Sequence, residues 1–263
     1  MFVCVTMVSM ATKKKKLVIG NWKMNIFTVK EAKKLVEGIK KGILKAKNTD
    51  VVVCPPFVYV ADLKGLVSKK VALGVQNIFE EAQGSYTGEV SAQHLAQFKV
   101  SHVIIGHSER RVRGESDASV AKKITRALEH KITPVFCIGE STRDDHGEYL
   151  SVIKNQLASG LSGVSKMHIG DIVIAYEPVW TIGAKEAMNS HQVHEMSLYI
   201  QKCIKEMYGS MIPVPRILYG GAVNVDNARE IVEQGYVDGL LVGRESLKAE
   251  NFVGIITNVD LIK

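Results

Sequence analysis

Eight short apolar runs recur along this chain at intervals of roughly thirty residues; Pro55-Pro56 breaks the second, and a polar or glycine-rich cluster stops each of the others. They occupy 17–20, 51–54, 71–75, 103–106, 135–138, 172–176, 217–219 and 240–242. Runs this short, rich in Val and Ile, read as strands buried on both faces. Helical stripes lie between them. Val29, Ala32, Leu35, Val36, Ile39 and Ile43 follow Thr28 and Glu31, which spell a capping box. Val120, Ile124 and Leu128 make another stripe, and Tyr149, Ile153, Leu157 and Leu161 a third. Val193, Met196, Ile200, Ile204 and Met207 make a fourth, and the third and fourth stripes read as core. Strands that alternate with helices in this number and order predict an α/β fold, a closed parallel (β/α)8 barrel. A length of 263 residues admits one barrel or two small domains. No linker or composition break divides the chain, so one catalytic domain is expected over 17–263.

The first sixteen residues are expected to form a disordered tail. An apolar stretch from Met1 to Met10 precedes Lys13–16, the reverse of the order in a secretory signal, and it is too short to span a membrane. Met1, Met7 and Met10 could each be the true start. The net charge of +7 suits an acidic small substrate or a nucleic acid. Aromatics make up only 6% of the chain and do not interleave with basic residues, which argues against a single-strand nucleic-acid surface. The expectation is therefore no nucleic-acid and no membrane partner. Cys4, Cys54, Cys137 and Cys203 form no CxxC pair and fit no zinc spacing. They read as reduced thiols, which points to a cytoplasmic protein.

In a parallel barrel the carboxyl ends of the strands converge on one face. Asn21 and Lys23 follow the first strand, His107 and Glu109 the fourth, and Glu177 the sixth. Pro178 stops that sixth strand directly behind its carboxylate. A carboxylate base, a fixed cation and two neutral hydrogen-bond donors form a set able to take a proton from a carbon beside a carbonyl and to stabilise the resulting enediolate. Gly220, Gly221 and Gly243, after the last two strands, would leave backbone N–H groups open to a phosphate, with helices starting just beyond. Each residue also has a bland reading: a solvated strand-end Glu, a core His, a surface Lys, a turn-forming Asn, a helix-start Glu, and glycines in tight turns.

The motifs Asn-Trp-Lys-Met-Asn at 21–25, Ile-Ile-Gly-His-Ser-Glu-Arg-Arg at 104–111, Ala-Tyr-Glu-Pro-Val-Trp at 175–180 and Tyr-Gly-Gly at 219–221 resemble the triosephosphate isomerase family. The likeness runs from about Leu17 to the C-terminus. It implies a TIM barrel that interconverts D-glyceraldehyde 3-phosphate and dihydroxyacetone phosphate in glycolysis and gluconeogenesis, without cofactor or metal. The implied roles are the family's own and are not read from spacing: Glu177 as base, His107 as neutral electrophile at the start of a helix near Ser108, Lys23 and Asn21 as substrate ligands, and Glu109 positioning Lys23. Gly183, Gly221, Ala222, Gly243 and Arg244 would offer N–H groups to the phosphate. The loop 84–89 resembles one through which family members form homodimers, with Thr87 reaching the partner's site. A lid would hinge at 178–180 and 185–187.

Three positions depart from the family pattern. Ala222 stands where serine is usual, Arg244 where a second glycine is common, and Ala184-Lys185 follows Gly183 in place of Thr-Gly-Lys, so the lid tip reads as one residue shorter and short of a glycine. His191 and His194 are spaced for a metal but have no acidic or cysteine neighbour in sequence and read as a solvated helix face. Two rival readings remain: a Schiff-base aldolase using Lys23, and a barrel that has lost catalysis and serves in binding or surface adhesion.

Overall fold

The computed structural model describes residues 14–181 and 188–262. Eight strands form one closed parallel barrel in sequence order: β1 (Lys16–Asn21), β2 (Thr49–Cys54), β3 (Val71–Val75), β4 (Val100–Ile105), β5 (Thr133–Ile138), β6 (Val173–Tyr176), β7 (Arg216–Tyr219) and β8 (Gly239–Val242). Around it run α1 (Val29–Gly42), α2 (Val60–Leu63), α3 (Ala92–Ala96), α4 (Ser108–Arg111), α5 (Asp117–Glu129), α6 (Glu148–Gly160), α7 (Ser190–Tyr208), α8 (Ala228–Gln234) and α9 (Ala249–Asp260). The predicted barrel is the observed one.

Alternation along each strand separates two cores. In β6, Val173 and Ala175 join Leu17, Ile19, Val52, Ile104 and Leu218 inside the barrel. Ile174 and Tyr176 face outward into the layer between strands and helices, with Leu35, Ile39, Ile124, Ile153 and Ile200. This double burial is why the strands read as continuous apolar runs. Cys54, Cys137 and Cys203 are buried free thiols.

The structure amends several local expectations. β1 begins at Lys16, which pairs with Thr49, so the last residue assigned to the tail belongs to the barrel. Residues 1–13 of that tail lie outside the described residues. β4 begins three residues early, because Val100 and His102 still find ladder partners, with a register shift at Ser101 between them. Ile172 precedes β6 and does not belong to it. Thr28 caps α1 by accepting from the Glu31 N–H, but the Glu31 carboxylate accepts from Phe27 N and not from Thr28, so the box is half-formed. Met207 is 38% exposed, because the stripe on α7 rotates off the core in its last turn.

One buried polar group sits at the amino end of the barrel. Ser101 Oγ donates its single proton to the Leu73 carbonyl at 3.0 Å, so the 2.8 Å contact with His102 Nδ1 has the ring donating. That leaves His102 Nε2 as a bare acceptor, sealed from solvent and without a partner, although the residue as a whole is only partly buried. Burial, then the positive charge of Arg216, lowers its pKa from 6.5 to about 4. Arg216 in turn faces Asp50 at 3.8 Å. Because the folded value is depressed, the unfolded chain takes up a proton that the folded chain refuses. Stability therefore falls as pH drops from 6.5 towards 4, by about 2–3 kcal/mol in all. In urea unfolding at fixed protein concentration, His102→Gln is expected to lose about 2 kcal/mol less than the parent between pH 7.5 and pH 4.5. Equal losses would contradict this account of the ring.

Candidate active site

Parallel strands place the segments after β1, β4, β6, β7 and β8 on one end of the barrel. A cavity of about 600 Å³ opens there, lined by Asn21, Lys23, His107, Glu109, Glu177, Gly221, Ala222, Gly243 and Arg244 among others. The structure thus brings together every site residue named from the sequence except Gly183, which lies outside the described residues along with the rest of the lid tip and the expected second hinge at 185–187.

Glu177 follows β6 directly, and its backbone N–H donates to Ile138 O at 2.7 Å, continuing the ladder to β5 by one bond. That approach requires Gly139: a Cβ there would lie 1.7 Å from the Glu177 carbonyl oxygen. Glu177 is 2% exposed. Its Oε2 accepts from the Ser108 backbone N–H at 3.3 Å, and its Oε1 lies 3.3 Å from His107 Nε2. Beside it, burial and then the Glu177 charge push the Cys137 thiol well above its ordinary range, so that group stays a neutral neighbour of the carboxylate.

His107 is the N-cap of α4, a single turn that begins at Ser108, where a helix is expected. Its Nδ1 accepts from the Glu109 backbone N–H at 3.2 Å. A ring nitrogen that accepts carries no proton, so the ring proton sits on Nε2 and points at Glu177 and the cavity. The turn fixes both the tautomer and the direction of donation.

Lys23 lies two residues beyond β1 in the left-handed region, with φ of 52°. A non-glycine residue there needs support from its surroundings. Asn21 Oδ1 accepts from the Lys23 N–H at 3.1 Å, and Gln76 Nε2 donates to the Lys23 carbonyl at 2.9 Å and to Cys54 O at 2.8 Å. The side chain crosses to α4, where Nζ donates to Glu109 Oε1 at 2.6 Å. Partial burial opposes the charge on Glu109, but this bond and the Lys23 charge hold its carboxyl below the ordinary value.

On the opposite wall, the Gly220 N–H is used within the fold, donating to Tyr176 O at 2.8 Å, contrary to the expectation that it is open. The N–H groups of Gly221 and Ala222 have no acceptor among the described residues. The helices also start later than expected: α8 begins at Ala228, and Gly243 leads into a short 3-10 turn, Arg244–Leu247.

A cluster that sequence reasoning left unassigned anchors the segment after Glu177. Glu140 is 1% exposed, and its Oε1 accepts from Tyr176 Oη at 2.8 Å and Trp180 Nε1 at 3.0 Å. Arg143 pairs with the same oxygen at 3.3 Å and lies over the Tyr149 ring. The segment re-enters the described structure at Met188, whose N–H donates to Tyr219 Oη at 3.2 Å. A glutamate directly beyond the fifth apolar run was the available signal. What it touches depends on β5 and β6 being neighbours, which no local pattern supplies.

His194 stacks on Tyr236 with ring centroids 4.5 Å apart. Among the described residues no group of three or more His, Cys, Asp or Glu could hold a metal ion, and no helix is long and apolar enough to cross a membrane.

Comparison with known proteins agrees with this geometry. A family model described as triosephosphate isomerase matches residues 16–259. A triosephosphate isomerase of Alkaliphilus oremlandii (strain OhILAs) is 42% identical over 247 residues, which is 92% of this chain and 99% of that protein. One from Clostridium botulinum (strain Langeland / NCTC 10281 / Type F) is 41% identical over 244 residues, covering 91% and 98%. Among solved structures, the triosephosphate isomerase of Bartonella henselae superposes with a TM-score of 0.81 at 34% identity, covering 93% of this chain and 98% of that one. By motif, barrel and relatedness, the chain belongs to the triosephosphate isomerase family.

Proposed function

We propose that the chain interconverts D-glyceraldehyde 3-phosphate and dihydroxyacetone phosphate by proton transfer between adjacent carbons, with Glu177 as the base. The observation that carries this reading is the pairing of two buried side chains, Glu177 and His107, at 3.3 Å in the mouth of the barrel. The substrate oxygen replaces Glu177 as acceptor at His107 Nε2, which frees the carboxylate. Glu177 takes the proton from carbon 2 of the aldehyde, and the electron pair moves through carbon 1 onto its oxygen, forming the enediolate. His107 Nε2–H and the Lys23 ammonium stabilise that oxygen, and the proton of the carbon-2 hydroxyl passes through His107 to oxygen 1. Glu177 returns its proton to carbon 1, which leaves the ketone at carbon 2. Asn21 hydrogen-bonds the substrate and also holds the Lys23 backbone, and Glu109 positions the Lys23 side chain. Gly221, Ala222 and Gly243 hold the phosphate through the backbone, joined by Gly183 from the lid, and Arg244 borders the same pocket.

The ion pair at Lys23 speaks against the aldolase alternative. A Schiff-base lysine must be a free amine, desolvated or set beside another cation, whereas the Lys23 Nζ is tied to a carboxylate at 2.6 Å.

The same reading makes the protein a cytoplasmic homodimer. Exposed apolar side chains cluster on loops that follow four adjacent strands: Met24 and Phe27 after β1, Val58 after β2, Tyr86 after β3 and Val112 after β4. Residues 83–89 are exposed throughout, with Thr87 among them. The loop is nonetheless ordered at its base, where Phe79 N donates to Val90 O and the Phe79 and Tyr86 rings meet at 4.6 Å. Beneath it the buried Lys123 donates to Asn77 Oδ1 at 3.0 Å and pairs with Glu115, which also binds Arg110 at 3.1 Å. A stiff, partly apolar projection of this kind fits a second copy, which would bring Thr87 to its site.

Two measurements test the reading. Glu177→Asp withdraws the base by one methylene, and small misplacements of a reacting group cost about 100-fold. It should lower kcat for glyceraldehyde 3-phosphate by at least that order with little change in KM, and an unaltered kcat would sink the assignment. Thr87→Glu should weaken the dimer and reduce activity together when sedimentation and assay follow one dilution series. Full activity in a monomeric fraction would refute the partner's contribution.

A further inference from the structure

The charges that line the mouth do not suit a doubly negative substrate until one side chain is counted. Among the described lining residues, Glu109, Glu177 and Glu245 are carboxylates, and Lys23 and Arg244 are the cations. Lys23 is already matched by Glu109 at 2.6 Å. Arg244 is exposed, and no carboxylate pairs with it among the described residues. Its nearest acidic neighbour in sequence is diverted, because Glu245 Oε2 accepts from Asn251 Nδ2 at 2.6 Å. Arg244 also directly follows Gly243, on the wall where the Gly221 and Ala222 N–H groups lack acceptors. Ala222 itself brings only a methyl group to that wall.

Building on the isomerase reading, we infer that the Arg244 side chain, and not only its backbone, is a specificity residue for the substrate phosphate. Its guanidinium supplies the uncompensated charge of the mouth and a planar fork of donors that matches a phosphate face. It is a side-chain donor in the same cavity where Ala222 offers none. The same charge draws dianions towards a rim otherwise dominated by carboxylates, so its contribution should shrink with added salt.

The test compares the parent, Arg244→Gln and Arg244→Lys. Arg244 is exposed and unpaired, so neither substitution removes a contact on which the fold depends. Two quantities are measured at low and high salt: the dissociation constant for inorganic phosphate, and the ratio of kcat/KM for glyceraldehyde 3-phosphate to that for glyceraldehyde, which lacks the phosphate. For Arg244→Gln the expected result is about tenfold weaker phosphate binding and a fall of similar size in the ratio, smaller at high salt. Arg244→Lys should recover part of both, since it restores the charge without the fork. An Arg244→Gln protein with unchanged phosphate affinity and an unchanged ratio would overturn the inference while leaving the isomerase reading intact. A parent that binds phosphate but fails to turn over glyceraldehyde 3-phosphate would overturn the isomerase reading instead.

Discussion

Everything at the mouth depends on the ladder that joins the last strand to the first. Leu17 N donates to Asp238 O at 2.9 Å, and Leu17 to Gly20 run in register with Gly239 to Val242. The strands meet at Gly239, whose φ of +153° is a glycine conformation and whose Cβ, if present, would lie 1.8 Å from the Leu17 carbonyl oxygen. Closure leaves the sheet without edges and fixes strand tilt and stagger together. It also sets Lys23 and Asn21, from the first strand, in one cavity with Arg244 from beyond the last.

Within that frame the site is held by backbone geometry more than by side-chain packing. The single turn of α4 directs His107 Nε2 inward by engaging Nδ1, and its Ser108 N–H holds the other oxygen of the base. The left-handed backbone at Lys23 aims its side chain across the barrel at Glu109. Such positions cost conformational energy and persist only where neighbours over-determine them, as Asn21 and Gln76 do here. One of the donors that hold Glu177, His107 Nε2–H, is the donor that the proposed reaction gives to the substrate oxygen, so in that reading binding and activation of the base are one exchange of acceptors.

The barrel was legible because burial on both faces makes each strand a continuous apolar run, and because helices between the runs keep the 3.6 period. The position of Glu177 was legible for a local reason: Pro178 ends the ladder directly after it. The family motifs supplied the rest of the candidate site. What local pattern missed is non-local. Gly139 matters because of a carbonyl 38 residues away, and Glu140 because β6 brings Tyr176 and Trp180 to it. The open N–H expected at Gly220 is consumed by Tyr176, and the charge balance that isolates Arg244 requires knowing that Glu245 turns to Asn251.

In the proposed reaction the protonated Glu177 carboxyl can exchange with solvent before it returns a proton to carbon 1. Turnover of glyceraldehyde 3-phosphate in deuterium oxide, followed by nuclear magnetic resonance of the products, tests this most directly. Dihydroxyacetone phosphate should carry solvent deuterium at carbon 1, and the incorporation should vanish with the activity in Glu177→Gln. Product formed at the parent's rate with no solvent deuterium at carbon 1 would point to a direct hydride shift and contradict the account.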